Sequence, residues 1–164
     1  PQSYCDYVEA CVGLKLDMSD TKNAFPDDYR RMECMRINQW DSKRNKQKNK
    51  EFKEAALKYQ KYEIHGEIYS IIIPQRLADL KTEGIMLDHC VGKMGYDQKM
   101  IKGESFIAFV RKNDNLNNPF VTVEYGLSSK KVLQCYGYRD SNPEKPVTDF
   151  VKKWEKACKK LQGA

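Results

Sequence analysis

The sequence predicts an α+β fold: a β-hairpin and a three-stranded antiparallel meander packed with helices, preceded by a long basic helical segment. Two observations carry this prediction. The spacing of apolar residues changes near residue 62 from a helical period to strand-like alternation. Three strand-like segments joined by short polar turns then precede one amphipathic helix, a succession that is typical of α+β proteins rather than of alternating α/β folds.

The N-terminal part is predicted to be helical. A first helix is expected over residues 3–12, and Asp27 or Asp28 can cap the start of the next one. No Gly or Pro follows up to about residue 60, but DSKRNKQKNKE, residues 41–51, contains no apolar side chain. This segment is therefore either one helix that is solvated in its middle or two helices that flank a flexible basic hinge.

A β-hairpin and two helices are expected next. In KYEIHGEIYSIIIP, residues 61–74, apolar residues alternate on either side of His65-Gly66, which predicts a hairpin that turns there. RLADLKTE then predicts a short helix that stops at Gly84. Asp88 can cap the start of a further helix that ends near Gly103.

Three strands and a helix complete the chain. SFIAFVRK (105–112), PFVTVEYG (119–126) and KVLQCYGYR (131–139) are separated by turn-like linkers short enough for an antiparallel meander. Apolar residues then recur at helical spacing between residues 147 and 161. An amphipathic helix of this kind can cover one face of a sheet.

Length and composition limit the class of protein. The chain has 164 residues, 40% of them hydrophobic, and its apolar runs are only strand-sized, so we expect one domain and no membrane partner. The start PQSYCDYVEAC lacks the pattern of a secretory signal, which favours the cytoplasm. Six cysteines at irregular spacings favour free thiols, no metal and no cofactor. We expect an N-terminal basic segment over residues 1–61 and an α+β module over residues 62–164.

The positive charge is concentrated in one stretch. Residues 30–62 hold eleven Lys and Arg against four Asp and Glu, an excess of seven, whereas the whole chain carries +6, so the remainder is close to neutral. Interleaved Asn and Gln can bind phosphates or bases, and an aromatic ring can stack on a base. The pattern favours salt-sensitive nucleic-acid binding, although charge runs also occur on solvated helix faces. The candidate residues are Arg36, Trp40, Lys43, Arg44, Lys46, Lys48, Lys50 and Lys53.

A second candidate lies in LDHCVG, residues 87–92. A cysteine in the first turn of a helix is close to the positive end of the helix dipole, and a neighbouring imidazolium favours its thiolate. Cys90 and His89 are therefore candidate catalytic residues. Adjacent side chains on a helix diverge by about 100°, so the base for Cys90 would come from elsewhere. The alternative, which we favour, is that LDHCVG holds a helix against the sheet and has no catalytic role.

Polar residues share one face of the predicted strands. In PFVTVEYG, strand alternation places Thr122 and Glu124 on the same face. Together with Gln134 of the next strand they can line a pocket near the start of the His89 helix, whose amides suit an anion such as phosphate. Glu124 is thus a third candidate catalytic residue. The candidate binding residues are Asp88, Arg111, Thr122 and Gln134. The alternative is an ordinary solvent-exposed sheet face.

An ordered set of motifs resembles the PcfJ-like protein family of conjugative plasmids, phages and other bacterial mobile elements. The motifs are IIIP (71–74), EGIMLDHCVGKMGY (83–96), KGESFIAFVRK (102–112), NPFVTVEYG (118–126), KVLQCYG (131–137) and TDFVKKWEKA (148–157). CDYVEACVGLKLDMSD near the start is also similar to the region that leads into this module. The resemblance implies a role in mobile-element biology but no particular activity.

The chain departs from the family pattern at two places. Relatives often have a second histidine where this chain has Asp88. They also often have an asparagine soon after the QCxG glycine, whereas here Tyr138, Arg139, Asp140 and Ser141 precede Asn142. If those positions carry chemistry in relatives, this chain has lost or changed it.

Two functional hypotheses from different classes follow. The first is an accessory protein of a plasmid or phage that binds nucleic acid, or a host complex that handles nucleic acid, through a basic helical face, for example to inhibit host defence. The alternative is an enzyme with a Cys/His or Glu-centred site that acts on a phosphate-bearing or acyl substrate. A third hypothesis joins them: an ancestral active fold that now serves as an inhibitor or adaptor and keeps HCVG for structure alone.

Overall fold

The computed structural model describes residues 4–163, with residue 34 described by its backbone alone. Contacts divide the chain into two compact units, one within residues 4–48 and the other within residues 49–163. The division by contact falls earlier in the chain than the boundary expected after residue 61. The first unit contains the helices α1 (Tyr4–Gly13), α2 (Thr21–Ala24) and α3 (Tyr29–Arg44).

Packing of α1 against α3 forms the core of the first unit. Tyr7 of α1 is fully buried, and its hydroxyl donates to the carbonyl oxygen of Asn23 at 2.6 Å. Asp28 caps α3, as the sequence predicts, because its carboxylate accepts the N–H of Arg31 at 3.2 Å. The buried Tyr7 and the cap at Asp28 therefore help to hold this small unit together.

The long basic segment consists of two helices. α3 ends at Arg44, and α4 (Lys46–Tyr59) begins two residues later. The N–H of Asn45, which lies between them, donates to the carbonyl oxygen of Asp41 at 2.9 Å. The sequence left open one helix or two helices that flank a flexible hinge over residues 41–51. The structure has two helices, but the stretch 41–51 is itself helical apart from Asn45.

A five-stranded antiparallel sheet forms the centre of the second unit, and its strands follow chain order. The strands are β1 (Ile64–His65), β2 (Tyr69–Ile72), β3 (Ser105–Lys112), β4 (Val121–Gly126) and β5 (Lys131–Tyr136). The expected hairpin and meander form one sheet because β2 pairs with β3, which places Ser70 opposite Arg111. Helices pack on an antiparallel sheet, so the predicted α+β class is confirmed.

An aromatic cluster covers one face of the sheet. Phe106 of β3 and Tyr125 of β4 lie opposite each other in the sheet register. Trp154 of α7 (Lys145–Gly163) meets both rings edge-on, with ring centroids 6.0 and 5.8 Å away. Its indole N–H donates to the carbonyl oxygen of Tyr62 at 2.7 Å. Edge-on aromatic pairs contribute about 0.5–1.5 kcal/mol each beyond their buried area, so the C-terminal helix is firmly attached to this face.

The opposite face of the sheet is covered by two helices and a short turn. These are α5 (Leu77–Leu87), a 3-10 turn at Cys90–Gly92 and α6 (Tyr96–Lys102). Every residue of β4 is buried as a result, including Thr122 and Glu124. The polar face of the strands is therefore enclosed within the protein and is not an ordinary solvent-exposed sheet face.

The helix expected between Asp88 and Gly103 is not formed as one element. Asp88 does not cap its start, but ends α5 with a left-handed backbone, φ 50°. His89 caps the 3-10 turn instead, and α6 begins only at Tyr96. Asp tolerates the left-handed region better than most residues, which explains why the same residue can end one helix where it was expected to begin another.

Gly84 explains why α5 continues beyond its expected end. A β-carbon at this position would lie 3.0 Å from the carbonyl oxygen of His89 and 3.2 Å from the amide nitrogen of Gly92. The 3-10 turn therefore packs directly on the backbone of α5 at this glycine. Gly84 serves as a packing site within the helix, which extends to Leu87, and not as a helix stop.

The ends of two strands also differ from expectation. β4 begins at Val121 and not at Pro119. β5 ends at Tyr136, because Arg139 and Asp140 in the following 3-10 turn have left-handed backbones, with φ values of 50° and 58°. Within residues 4–163, no helix is long and apolar enough to cross a membrane.

Candidate functional site

A chain of four polar side chains connects α5, the 3-10 turn and the sheet. The guanidinium of Arg111 on β3 binds both carboxylate oxygens of Glu83 on α5, with a distance of 3.0 Å from Nη1 to Oε1. The hydroxyl of Thr122 on β4 donates to Glu83 Oε1 at 3.1 Å, and His89 Nε2 lies 2.8 Å from Thr122 Oγ1. Arg111, Glu83 and Thr122 are all buried, so each polar atom depends on these partners.

Both ring nitrogens of His89 make hydrogen bonds. Because the Thr122 hydroxyl donates to Glu83, its oxygen is left to accept from His89 Nε2. His89 Nδ1 accepts the N–H of Val91 at 3.4 Å. The lone pair that a general base would use therefore caps the 3-10 turn. This geometry favours the structural interpretation of LDHCVG.

Cys90 lies beside His89 but in a different environment from the one expected. It is exposed, and it starts a three-residue 3-10 turn rather than an α-helix. The helix dipole that was expected to favour its thiolate is therefore lacking. The phenol of Tyr96, which borders the same space, donates to Gln134 Oε1 at 3.3 Å. Burial raises the pKa of Tyr96 above its ordinary value, and the nearby Cys90 and Glu124 raise it further.

Glu124 is the buried acid of this region. It is 3% exposed, and its Oε1 accepts the hydroxyl of Ser105 at 2.8 Å and the ammonium of Lys99 at 3.4 Å. Lys99 also lies over the ring of Tyr96, 5.0 Å from its centroid. Glu124 pairs across the sheet with Gln134, which places both side chains on the same face of neighbouring strands.

A narrow cleft lies between the sheet and the 3-10 turn, and the free space inside it is only about 30 Å³. Its lining includes five of the residues that the sequence nominated: His89, Cys90, Thr122, Glu124 and Gln134. Tyr96, Ile107 and Tyr136 complete most of the wall. This space suits about one water molecule, so a larger group such as a phosphate would meet these side chains at the mouth of the cleft.

Two nominated residues lie outside the cleft lining. Arg111 is turned toward Glu83 and belongs to the polar chain behind the cleft. Asp88 is exposed and forms an ion pair with Arg139, with 3.0 Å between Oδ2 and Nε. Sequence reasoning missed Glu83 altogether, although its spacing from Leu80 and Leu87 places an acid on the buried side of α5.

The nominated basic residues fall into two groups. Those on α3 make contacts within the first unit: Arg36 Nη1 donates to Gln39 at 3.1 Å, Lys43 Nζ to the carbonyl oxygen of Gly13 at 3.3 Å, and Arg44 pairs with Asp41 at 2.8 Å. The Trp40 ring lies against Gly13, where a β-carbon would come within 2.6 Å of it. The ring expected to stack on a base therefore already packs against α1.

The nominated lysines on α4 are different. Lys46, Lys50 and Lys53 are exposed, and their spacing of four and three residues places them on one side of the helix. The opposite side buries Phe52, Ala55, Ala56 and Tyr59. We call Lys46, Lys50 and Lys53 the α4 lysine face. None of the three forms an ion pair with another described side chain.

Comparisons with known proteins give one family and one curated relative. The model of a family described as "PcfJ-like protein" matches residues 3–150. "Uncharacterized protein Lin1253/Lin1744" from Listeria innocua serovar 6a is 33% identical over 91 residues, which cover 56% of this chain and 20% of the relative. The match thus spans about a fifth of the length of that relative. No solved structure matches the chain significantly.

Proposed function

The chain belongs to the PcfJ-like protein family, and from this premise we propose that it is an accessory protein of a mobile element that binds nucleic acid through the α4 lysine face. The mobile-element context rests on the family resemblance. The nucleic-acid partner rests on the charge of α4. An activity of the longer relative would apply to this chain only as a further proposal, because the match covers 20% of that relative.

One observation carries the proposal: Lys46, Lys50 and Lys53 share the solvent side of a helix whose other side is anchored in the protein core. The helix is held by Phe52, which is fully buried, and by the hydroxyl of Tyr59, which donates to the carbonyl oxygen of Met100 at 3.0 Å. The three ammonium groups are therefore presented on a fixed support. Over seven residues they span about 10 Å.

The chemistry of this surface predicts contact with phosphates and not with bases. Lysine is a compact cation that binds phosphate as a point charge, and three lysines without an Arg fork give little of the paired contact by which single bases are distinguished. Binding that depends on phosphate contacts is independent of sequence and weakens as salt rises. We therefore expect low sequence specificity.

The test compares two triple variants in binding to a fluorescein-labelled 20-base-pair DNA duplex, its single strand and an RNA of the same sequence. One variant is K46Q/K50Q/K53Q. The control, K81Q/K93Q/K102Q, loses the same charge at exposed positions on or next to the elements that cover the opposite face of the sheet. The proposal predicts that fluorescence anisotropy at 50 mM NaCl shows at least about tenfold weaker binding for the α4 variant alone.

Equal binding by the two triple variants, or no binding of the unaltered protein to any of the three probes, would overturn this proposal. If the unaltered protein binds none of the probes, the partner to test next is a host protein complex that handles nucleic acid. Circular dichroism of both variants checks that Gln, a good helix former, has left the helices intact.

A second candidate function is favoured by the cleft. It gathers the thiol of Cys90, the carboxylate of Glu124 and the amide of Gln134 around one small space. We infer that such a site would act on a phosphate or acyl group at the mouth of the cleft, where Cys90 is exposed, with Cys90 as nucleophile or Glu124 as acid or base. His89 is not available as the base in this arrangement, because its Nδ1 caps the 3-10 turn.

Thiol reactivity tests the second candidate. The reference thiol must itself be exposed, because slow labelling of a buried thiol such as Cys158 would say nothing about activation of Cys90. Cys5 is exposed and provides the matched control. If Cys90 is a nucleophile, iodoacetamide labels it at neutral pH clearly faster than Cys5, as followed by peptide mass spectrometry. Equal rates for the two thiols would remove the nucleophile hypothesis.

A further inference from the structure

The outer side of α7 carries a dense set of lysines that the overall charge conceals. Lys145–Gly163 contains six lysines against two acids, a net charge of +4. Outside α7 and residues 30–62, acids outnumber bases by five, so the total of +6 hides this second basic element. The remainder of the chain is close to neutral only on average.

Helical spacing separates the two sides of α7. Val147, Val151, Trp154 and Cys158 are buried against the sheet. At about 100° per residue, the opposite side carries five exposed lysines in two rows with one between them. Lys152 and Lys159 form one row, Lys153 and Lys160 form the other, and Lys156 lies in the middle. We call these five residues the α7 lysine face.

The two acids of α7 offset only part of the charge of this face, because it has five lysines against these two carboxylates. Asp149 accepts a hydrogen bond from Lys145 Nζ at 2.9 Å, and Glu155 accepts the backbone N–H of Val132 at 2.6 Å. The hydrogen bond from Lys145 holds the pKa of Asp149 below its ordinary value, and the charges of Lys152 and Lys153 lower it further. Among residues 4–163, none of the five lysines forms an ion pair.

We propose that the α7 lysine face binds the phosphate backbone of a nucleic-acid duplex, as a second contact surface in addition to the α4 lysine face. This inference rests on the proposed nucleic-acid-binding function and extends it by naming the partner as double-stranded. It also adds α7 as a binding surface outside residues 30–62, the basic segment to which the sequence analysis assigned nucleic-acid binding.

Charge complementarity favours a duplex. The face spans eight residue steps, about 12 Å, over which a duplex carries about seven phosphate charges. Two rows of lysines suit two phosphate backbones on either side of a groove, and Lys156 lies between the rows. The face consists of lysines alone, and it therefore favours contacts with the phosphate backbone over discrimination between bases.

An anionic membrane is the other polyanion that such a face could meet. Helices that bind a bilayer surface insert their apolar side between the lipids. The apolar side of α7 is buried against Phe106 and Tyr125, as the contacts of Trp154 show, so it is not available for insertion. Charge alone would have to hold the protein on lipid, and this favours the nucleic-acid duplex.

The test uses the full chain and the variant K152Q/K153Q/K156Q/K159Q/K160Q. Its control, K81Q/K93Q/K102Q/K112Q/K131Q, loses five exposed lysines outside both lysine faces. The probes are the labelled 20-base-pair duplex, its single strand, and vesicles of phosphatidylcholine with 30% phosphatidylserine. We expect the α7 variant alone to bind the duplex at least about tenfold more weakly at 50 mM NaCl, and its salt dependence to lose up to about 4.5 units of slope.

Two paired variants keep the inference testable if the fivefold variant unfolds. K152Q/K159Q and K153Q/K160Q each remove one row, and a duplex partner predicts that both weaken binding by similar factors. Loss of binding in only one of the paired variants, preference for the single strand, or vesicle binding as tight as duplex binding would each overturn the duplex assignment.

The two lysine faces can be distinguished by comparing their variants. If the α4 variant fails to bind while the α7 variant binds as its control does, this inference fails and the proposed function stands. The reverse result would move the binding function from α4 to α7.

Discussion

His89 Nε2 lies 2.8 Å from Thr122 Oγ1, and this hydrogen bond joins the turn after α5 to the middle of the sheet. The Thr122 hydroxyl donates to Glu83, which in turn accepts from Arg111. The histidine thus ends a fixed polar chain whose other members are buried. This hydrogen bond attaches the turn that contains Cys90 to the sheet.

Removing the Thr122 hydroxyl should destabilise the fold. Thr122→Val leaves His89 Nε2 and a lone pair of buried Glu83 without their partner, so we expect the free energy of unfolding in urea to fall by about 1–3 kcal/mol. Thr122→Ser keeps the hydroxyl and should cost less. A double-mutant cycle with His89→Ala should give a coupling of at least about 0.5 kcal/mol. Additive effects of the two substitutions would argue against the bond as a source of stability.

Replacing one partner of the buried ion pair between Glu83 and Arg111 should lower the free energy of unfolding more than replacing both partners. Arg111→Met leaves the carboxylate of Glu83, which is 1% exposed, without its cation, and we expect a loss of about 3–5 kcal/mol in unfolding free energy. The double variant Glu83→Gln/Arg111→Met has no unpaired charge and still offers Thr122 an acceptor. Thermal and urea unfolding should therefore show it to be more stable than Arg111→Met alone, and the opposite order would contradict the assigned pairing.

Gly84→Ala should destabilise the protein, although alanine is the better helix former. At an ordinary helix position this change stabilises by about 0.5–1 kcal/mol. Here the new β-carbon would lie 3.0 Å from the His89 carbonyl oxygen, so the 3-10 turn must move away. Gly163→Ala, at the end of α7 with nothing within 4 Å, is the control and should be neutral or stabilising. A gain in melting temperature for Gly84→Ala would contradict the close approach.

Alkaline pH should weaken the fold through a buried thiol. Burial raises the pKa of Cys158 to about 12 from an ordinary value of 9.0. Between these two values the unfolded chain has lost the proton and the folded chain keeps it, so stability is full below pH 9 and decreases as pH rises. The decrease is about 1.4 kcal/mol per pH unit for one group.

Cys158→Ala isolates this contribution from those of other titrating groups. Urea unfolding between pH 8.5 and 10.5 should give a shallower decrease of unfolding free energy with pH for the variant than for the unaltered protein. Val151→Ala, on the same buried side of α7 but without a titrating group, should leave the slope unchanged. Identical slopes for all three proteins would show that the Cys158 thiol is not held protonated by the fold.

The strands of this protein could be predicted from its sequence because alternation is a local property of an extended backbone. β3 and β4 follow it closely, and the shared face of Thr122, Glu124 and Gln134 came from the same rule. The turn at LDHCVG could not be predicted, because Asp88 suits both the start and the end of a helix. What decides between them is the contact of Gly84 with a segment five to eight residues later.

The buried acid Glu83 and the lysines of α7 can also be recognised from the sequence, by examining each helix face separately. Glu83 lies three residues after Leu80 and four before Leu87, so the pattern already placed an acid on a buried helix side, where it requires a buried partner. The sum of charges outside residues 30–62 conceals the lysines of α7, because acids elsewhere in the chain offset them. Charge counted on each helix face separately reveals them.

The salt dependence of binding to a DNA duplex tests the central claim most directly. Titrating the unaltered 164-residue chain against the 20-base-pair duplex from 50 to 250 mM NaCl should give a log–log slope steeper than about −4, because the α4 and α7 lysine faces together offer eight cations. No measurable binding at 50 mM NaCl, or a dissociation constant that does not change across this range, would contradict the claim that these lysines contact phosphates.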